Sequence, residues 1–424
     1  MSMNGDRHIA LISVHGDPAI DIGKEEAGGQ NVYVRQVGEA LAKLGWSVDM
    51  FTRRTSSAQS SIVEHSPTCR TIRLTAGPQD FVPRDEIFDY LSEFVQEFTR
   101  FQQRSGIRYG IVHTNYWLSS WVGMELKRRQ PRLQQVHTYH SLGTVKYRNV
   151  DNIPAIASTR LEIEKRCLET AARVVATSPQ EQDHMRAFVS TRGNVNLIPC
   201  GTDIDRFGSI SKDEARALLG IDPKAKVVFY VGRFDPRKGI ETLVRAVGQS
   251  AIRNTQALQL LVGGGSRPGQ SDGLERERIE GIVADLDMQS IVQFPGRISD
   301  EDLPAYYAAA DVCVVPSHYE PFGLVAIEAM ASGTPVVASD VGGLQFTVES
   351  GKTGLLAPPR DETAFAAAID RILSNAEWRD RLGRTARKRV EAYFSWQGVA
   401  NQLDQLYEEM LEAQFSCSIN SSVA

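Results

Sequence analysis

The 424-residue chain carries 47 basic and 52 acidic residues, a net charge of −5, with 42% hydrophobic and 23% charged residues. That balance fits an ordinary globular protein long enough for two domains, and without any long basic block it excludes nucleic acid as the expected partner. Its five cysteines (Cys69, Cys167, Cys200, Cys313 and Cys417) are widely spaced with no Cys-x-x-Cys, which argues against a disulfide framework or a zinc site and fits a reducing cytosol. No signal-peptide pattern and no apolar run of about 20 residues is present, so no membrane partner is expected.

Apolar runs alternate with helical patterns along the chain. In the first half the strand candidates are Ile9–His15, Ser47–Thr52, Tyr109–Asn115, Gln134–His140, Val174–Ser178 and Val195–Pro199. Between the first two, Val34, Val37, Leu41 and Leu44 recur at helical spacing, with Gly45 placed as a C-cap. The pattern restarts after a linker at about 201–222. Val227–Gly232, Leu258–Val262, Ile291–Pro295, Val312–Pro316 and Pro335–Ser339 are continuously apolar, as strands covered on both faces require. Phe394–Leu411 reads as a terminal helix, and Phe415–Ala424 as a frayed end. The expectation is α/β: two Rossmann-like domains facing across an active-site cleft, at 1–207 and 208–393, with a helix and tail at 394–424.

Ligands of such folds bind beyond the carboxyl ends of strands, so the loops there carry the chemistry. The first, Gly28-Gly29-Gln30 ahead of a helix, is too long and lacks the spacing of a dinucleotide fingerprint. Asp17–Ala27 before it is a candidate flap. In Gly232-Arg233-Phe234-Asp235-Pro236-Arg237-Lys238-Gly239, the cations Arg233 and Lys238 suit a diphosphate and its leaving charge. In Pro316–Leu324, a helix opens at Gly323, where backbone N–H groups attract phosphate. Glu320 and Glu328, with seven residues between them, suit two parts of one hydroxylated ligand. His137-Thr138-Tyr139-His140 suggests a metal less than it suggests one histidine, His140, donating a hydrogen bond to a sugar. Asp203–Asp205 and Asp285–Asp287 match a metal-binding Asp-x-Asp in unsuitable places. Gly263-Gly264-Gly265 comes without a helix phosphate site. Cys200 reads as a buried thiol.

Taken together and in this order, Gly28-Gly29-Gln30, Gly232-Arg233-x4-Lys238-Gly239 and Glu320-Pro321-Phe322-Gly323-Leu324-x3-Glu328 resemble the retaining, nucleotide-sugar-dependent glycosyltransferases of the two-Rossmann, GT-B, type. Within them the first half is most similar to the sucrose-phosphate synthases. It shares Ser13-Val14-His15-Gly16, Gly28–Val34, His137–Gly143 running on to Lys146, and Arg160-Leu161-Glu162-Ile163-Glu164. The resemblance implies transfer of glucose from UDP-glucose to fructose 6-phosphate, giving sucrose 6-phosphate and UDP, with no cofactor and no metal. It implies Arg233 and Lys238 on the diphosphate, and Glu320 with backbone of Phe322, Gly323 and Leu324 on the glucose and β-phosphate. Glu328 would take the ribose, His140 the glucose 6-hydroxyl, and Gly29 and Gln30 the reaction centre. Tyr116, Lys146, Arg160 and Arg84 would take the acceptor phosphate. Asp80 stands where relatives often carry a lysine, and Arg84 is placed to compensate. A separate sucrose-phosphate phosphatase is the implied partner in the cytoplasm. The alternatives are a sucrose synthase-like or mannosylfructose-phosphate synthase-like transferase, a nucleotide-sugar epimerase, or a non-catalytic sugar-binding protein.

Overall fold

The computed structural model describes residues 7–20, 29–149, 152–253 and 257–422. Two compact units share the chain: one runs to Pro199 and resumes at Trp396, the other is Cys200–Ser395. The division differs from the expected one at both ends. Thr202 bridges to Ser395, its N–H donating to Phe394 O at 2.7 Å, and the Phe207 ring packs 5.6 Å from Tyr307, so residues 200–207 belong with the second unit. The terminal helix, Trp396–Ser422, is no separate tail and runs past the expected Leu411. Its Tyr407 hydroxyl lies 2.6 Å from His113 Nδ1, and its Asp404 accepts from Trp46 Nε1 at 2.6 Å, both partners in the first unit.

The first unit holds eight strands: β1 (His8–Ile12), β2 (Ser47–Arg53), β3 (Ile62–Ser66), β4 (Cys69–Leu74), β5 (Ile111–Asn115), β6 (Gln134–Thr138), β7 (Arg173–Ala176) and β8 (Val195–Leu197). Their order is β3-β4-β2-β1-β5-β6-β7-β8, parallel except for β3 against β4. The second unit holds β9 (Lys226–Val231), β10 (Leu258–Gly263), β11 (Val292–Gly296), β12 (Val312–Val315), β13 (Val336–Ser339) and β14 (Gly354–Ala357). Their order is β11-β10-β9-β12-β13-β14, all parallel. Every expected strand is present within three residues of its expected ends.

Strand order fixes where ligands can go. It reverses direction between β1 and β5 in the first sheet, and between β9 and β12 in the second. At such reversals the crossover helices leave on opposite faces, and a crevice opens at the carboxyl ends. The loop after β1 begins at Ser13, and β5 passes directly into a helix at Tyr116; the loops after β9 and β12 begin at Gly232 and Pro316. Three of these four junctions coincide with the loops that carry the charged and glycine motifs. No helix among the described residues is long and apolar enough to cross a membrane.

Candidate functional site

In the second unit the switch-point loops lie against each other. His318 N–H donates to Arg237 O at 2.8 Å, and Gly343 N–H to Glu320 O at 2.9 Å. Gly239 makes the approach possible: its φ is +70°, and a Cβ there would fall 2.0 Å from Pro316 O. The Lys238 ammonium then donates to Glu320 Oε2 at 2.6 Å, with Ser317 Oγ 3.4 Å from the same oxygen. Arg233 is exposed and makes no side-chain hydrogen bond among the described residues. Gly323, at φ +92°, sets the start of the helix Leu324–Ala331, whose first N–H groups lack intrahelical partners. Phe322 is buried beneath, its ring 5.8 Å from Phe394. A lysine–carboxylate pair and a helix start thus meet at one crevice, with Arg233 exposed in the same loop as Lys238, an arrangement suited to a diphosphate.

Glu328 sits just over one turn into that helix, where Tyr307 O–H donates to its Oε2 at 2.8 Å. Burial pushes the carboxyl up to about 7. A raised carboxylate binds a proton in the folded state that the unfolded chain has already lost, so its cost to stability appears as pH rises from about 4.5 to about 7. Glu328→Gln is therefore expected to unfold at higher temperature than the wild type at pH 8 and at the same temperature at pH 4. The gain at pH 8 is about 1–2 kcal/mol after allowance for solvent screening. Equal melting at pH 8 would place the Glu328 carboxyl in its ordinary range.

In the first unit a second cluster forms at the β1/β5 reversal. Of four non-glycine residues with positive φ among the described residues, two lie here: Tyr116 at +73° and His140 at +59°. Such backbone costs on the order of 1 kcal/mol each and gathers at functional sites. His140 Nε2 is 2.8 Å from Asn115 Oδ1, which can only accept, so that nitrogen carries the proton. Burial pushes the imidazole down to about 3, so it is neutral. In this tautomer the remaining Nδ1 offers a lone pair, so the position His140 leaves open is an acceptor where the sequence suggested a donor. Gln30 Nε2 donates to Ser13 Oγ at 2.9 Å at the start of the helix Gly29–Lys43. Gly28 and most of the proposed flap lie outside the described residues.

Around the buried Tyr116 ring stand Arg84 (5.8 Å to its centroid), Arg160 (5.0 Å) and His15 (4.5 Å). Lys146 Nζ and the Arg160 guanidinium lie 5.9 and 5.6 Å from the Tyr147 ring. The four residues expected at the acceptor phosphate are thus brought together, but unequally. Arg84 is exposed, whereas Arg160 is 1% exposed. Its Nε pairs with Glu164 at 2.7 Å, its Nη1 donates to the Tyr116 hydroxyl at 3.1 Å, and its Nη2 donates to Ser141 O at 2.7 Å. Glu164 in turn accepts from Gly143 N–H at 2.9 Å. Arg160 is a floor beneath Tyr116 with its donors engaged, rather than a free surface cation. Asp80 turns its carboxylate onto the N–H of Phe81 at 2.8 Å.

The other motifs resolve as scaffolding. His137 Nδ1 is 2.9 Å from Thr114 Oγ1, away from the Asn115 partner of His140. Asp203 Oδ1 accepts from the N–H groups of Asp205 and Arg206 at 3.1 and 3.0 Å, a cap. Asp287 is at φ +53°, in the connection after the helix that ends at Asp285. No cluster of three metal-ligating side chains occurs among the described residues. Cys200 is buried, as expected. Sequence reasoning missed Asn115 and Tyr307. Asn115 ends a strand, where a polar residue after an apolar run is a usable signal. Tyr307 meets Glu328 only through packing, and nothing in its own segment marks it.

Known proteins resemble the chain at both levels. The family model described as glycosyl transferases group 1 matches residues 211–389, and that of the glycosyl transferase 4-like domain matches residues 28–201. A D-inositol 3-phosphate glycosyltransferase of Corynebacterium jeikeium is 36% identical over 95% of this chain and 96% of its own. Its namesake in Saccharomonospora viridis is 36% identical over 96% and 95%. Among solved structures, the sucrose-phosphate synthase of Thermosynechococcus elongatus is 54% identical, with a TM-score of 0.87 over 96% of this chain and 99% of that one. Anabaena HepE in complex with UDP and glucose, at 21% identity and TM-score 0.73 over 95% and 99%, shares the fold. With two family models, full-length relatives and two switch-point crevices in agreement, the chain belongs to the glycosyltransferases of the GT-B fold.

Proposed function

We propose that this enzyme transfers glucose from UDP-glucose to fructose 6-phosphate, with retention at the anomeric carbon, releasing UDP and forming sucrose 6-phosphate. The observation that carries the reading is the 54% identity to a sucrose-phosphate synthase over nearly the whole of both chains, against 36% for the inositol phosphate enzymes. In this reading the anomeric C–O bond breaks with its electron pair passing to the β-phosphate. Arg233 and Lys238 offset that charge, and the helix start at Gly323 and Leu324 receives it. The acceptor hydroxyl attacks from the face the phosphate leaves, and the departing phosphate oxygen takes its proton. Glu320 and the backbone of Phe322 hold the glucose, Glu328 the ribose, and His140 accepts from the glucose 6-hydroxyl. Gly29 and Gln30 line the reaction centre. Arg84 and Lys146 hold the acceptor phosphate, with Tyr116 and Arg160 shaping its seat. No metal or cofactor takes part. We place the reaction in the cytoplasm, where a separate phosphatase acts on the product; the free, buried Cys69, Cys167 and Cys313 suit that compartment.

A second reading follows from the named relatives. D-inositol 3-phosphate is also a phosphorylated polyol, and a cationic seat around Tyr116 suits it equally. A grid of UDP-, ADP- and GDP-sugars against fructose 6-phosphate, fructose and inositol 3-phosphate separates the readings. UDP is expected to appear only with UDP-glucose and fructose 6-phosphate together. Faster turnover of inositol 3-phosphate transfers the enzyme to the second reading. Faster turnover of free fructose makes it sucrose synthase-like, GDP-mannose preference makes it mannosylfructose-phosphate synthase-like, and conversion of donor alone makes it an epimerase.

A further inference from the structure

At the amino ends of β5 and β6, the opposite end of the first sheet from Tyr116, lies an open cavity of about 840 Å³. Its wall is built by the end of the helix Leu91–Ser105, the loop into β5, the loop from the helix Tyr116–Arg129 into β6, and Gln414 of the terminal helix. Among the described residues the lining holds Arg108, Arg132 and four glutamines, Gln102, Gln103, Gln130 and Gln414, with no carboxylate. Neither Arg108 nor Arg132 makes a side-chain hydrogen bond or ion pair among the described residues. Both guanidinium groups are exposed to solvent at the cavity, and a carboxylate or phosphate can take such donors bidentately. The amides are held in place rather than loose: Gln102 is 9% exposed, and its Oε1 accepts from Gln130 Nε2 at 2.9 Å. Two helix carboxyl ends also border the cavity; their last-turn carbonyls accept from hydroxyls and disfavour negative charge, which confines the anionic end of a ligand to the arginines. Cations for one end of a ligand and acceptors for the rest describe a hydroxylated anion.

The cavity bears on the chain's return. Gln414 Nε2 donates to Arg132 O at 2.6 Å, and Gln134 Nε2 donates to Met410 O at 2.9 Å, so the loop that carries Arg132 is the one the terminal helix clamps. We propose that this cavity is a second ligand site, for a small hydroxylated anion carrying a carboxylate or a phosphate, and that filling it steadies the terminal helix. The site is separate from the Tyr116 cluster and independent of which acceptor the enzyme uses.

Calorimetry on the full chain with D-gluconate, glycerol 3-phosphate and neutral glucose tests it, beside the double variant Arg108→Ala/Arg132→Ala. The wild type is expected to bind one or both anions and not glucose, and the variant to bind the same anion at least about tenfold more weakly. UDP binding, measured in parallel, should be equal in both and serves as the check on folding. Gluconate alone binding assigns a carboxylate ligand, and glycerol 3-phosphate alone a phosphate. Hydrogen exchange in Trp396–Ser422 should slow with the bound anion in the wild type only. Equal affinity in wild type and variant, or no binding of either anion, overturns the proposal.

Discussion

Lys238→Ala is expected to lower kcat/KM for the proposed glucosyl transfer by about 10³-fold, the loss seen when one preorganised donor to a developing anion is removed. The expectation rests on the two loops after β9 and β12. Gly239 allows the contact with Pro316 that brings Lys238 to Glu320, so the ammonium is already fixed at the crevice before any donor arrives. A fixed charge costs no reorganisation at the moment the C–O bond breaks. Alanine also removes the cation that Glu320 faces, leaving a carboxylate beside the incoming diphosphate. The two losses are coupled, so Lys238→Ala/Glu320→Gln should be less impaired than the product of the single effects, by a coupling of about 1 kcal/mol or more. Steady-state UDP release across the four enzymes of this cycle measures it. A Lys238→Ala enzyme within tenfold of the wild type would remove the lysine from the chemistry. Strict additivity would leave the ion pair incidental.

What could be read in the sequence, and what could not, follows from how each feature is encoded. Central parallel strands are buried on both faces, and Val227–Gly232 or Val312–Pro316 announce themselves as unbroken apolar runs. β3 and β4 escaped because an edge pair alternates: Ile62–Ser66 is largely uncovered, and Cys69–Leu74 carries two arginines. β14 has only four residues. The crevice loops were legible because they follow strands and carry cations, carboxylates and glycines together. The placement of the terminal helix was not. Tyr407 reaches His113 across nearly three hundred residues, and local periodicity holds no record of that. The tautomer of His140 was equally hidden, since Asn115 on the neighbouring strand sets it. The pairing of Arg160 with Glu164 did leave a trace, an Arg–Glu spacing of four on one helix face. The sequence could not say that the face is buried.

That burial gives the second large effect. Arg160→Ala is expected to destabilise the first unit by about 3–5 kcal/mol, the usual result of leaving one buried charge without its partner. On a unit of this size that lowers its melting temperature on the order of 10 °C. Burial already pushes the Glu164 carboxyl up against the pull of Arg160, so removing the arginine leaves only the Gly143 N–H and nearby Lys146 to hold a charge there. The penalty is electrostatic rather than volumetric, and a double variant tells the two apart. Arg160→Met/Glu164→Gln keeps an acceptor for Gly143 N–H and fills most of the space, so it should recover at least half of the lost stability. It should not recover turnover. The Tyr116 hydroxyl, which Arg160 Nη1 now holds at 3.1 Å, would be left unheld on a strained backbone, raising KM for the phosphorylated acceptor while UDP binding stays as in the wild type. Thermal unfolding, acceptor KM and UDP affinity separate these roles. A single variant that melts with the wild type shows the pair to be dispensable. A double variant with normal acceptor KM confines Arg160 to the scaffold and leaves the phosphate to Arg84 and Lys146.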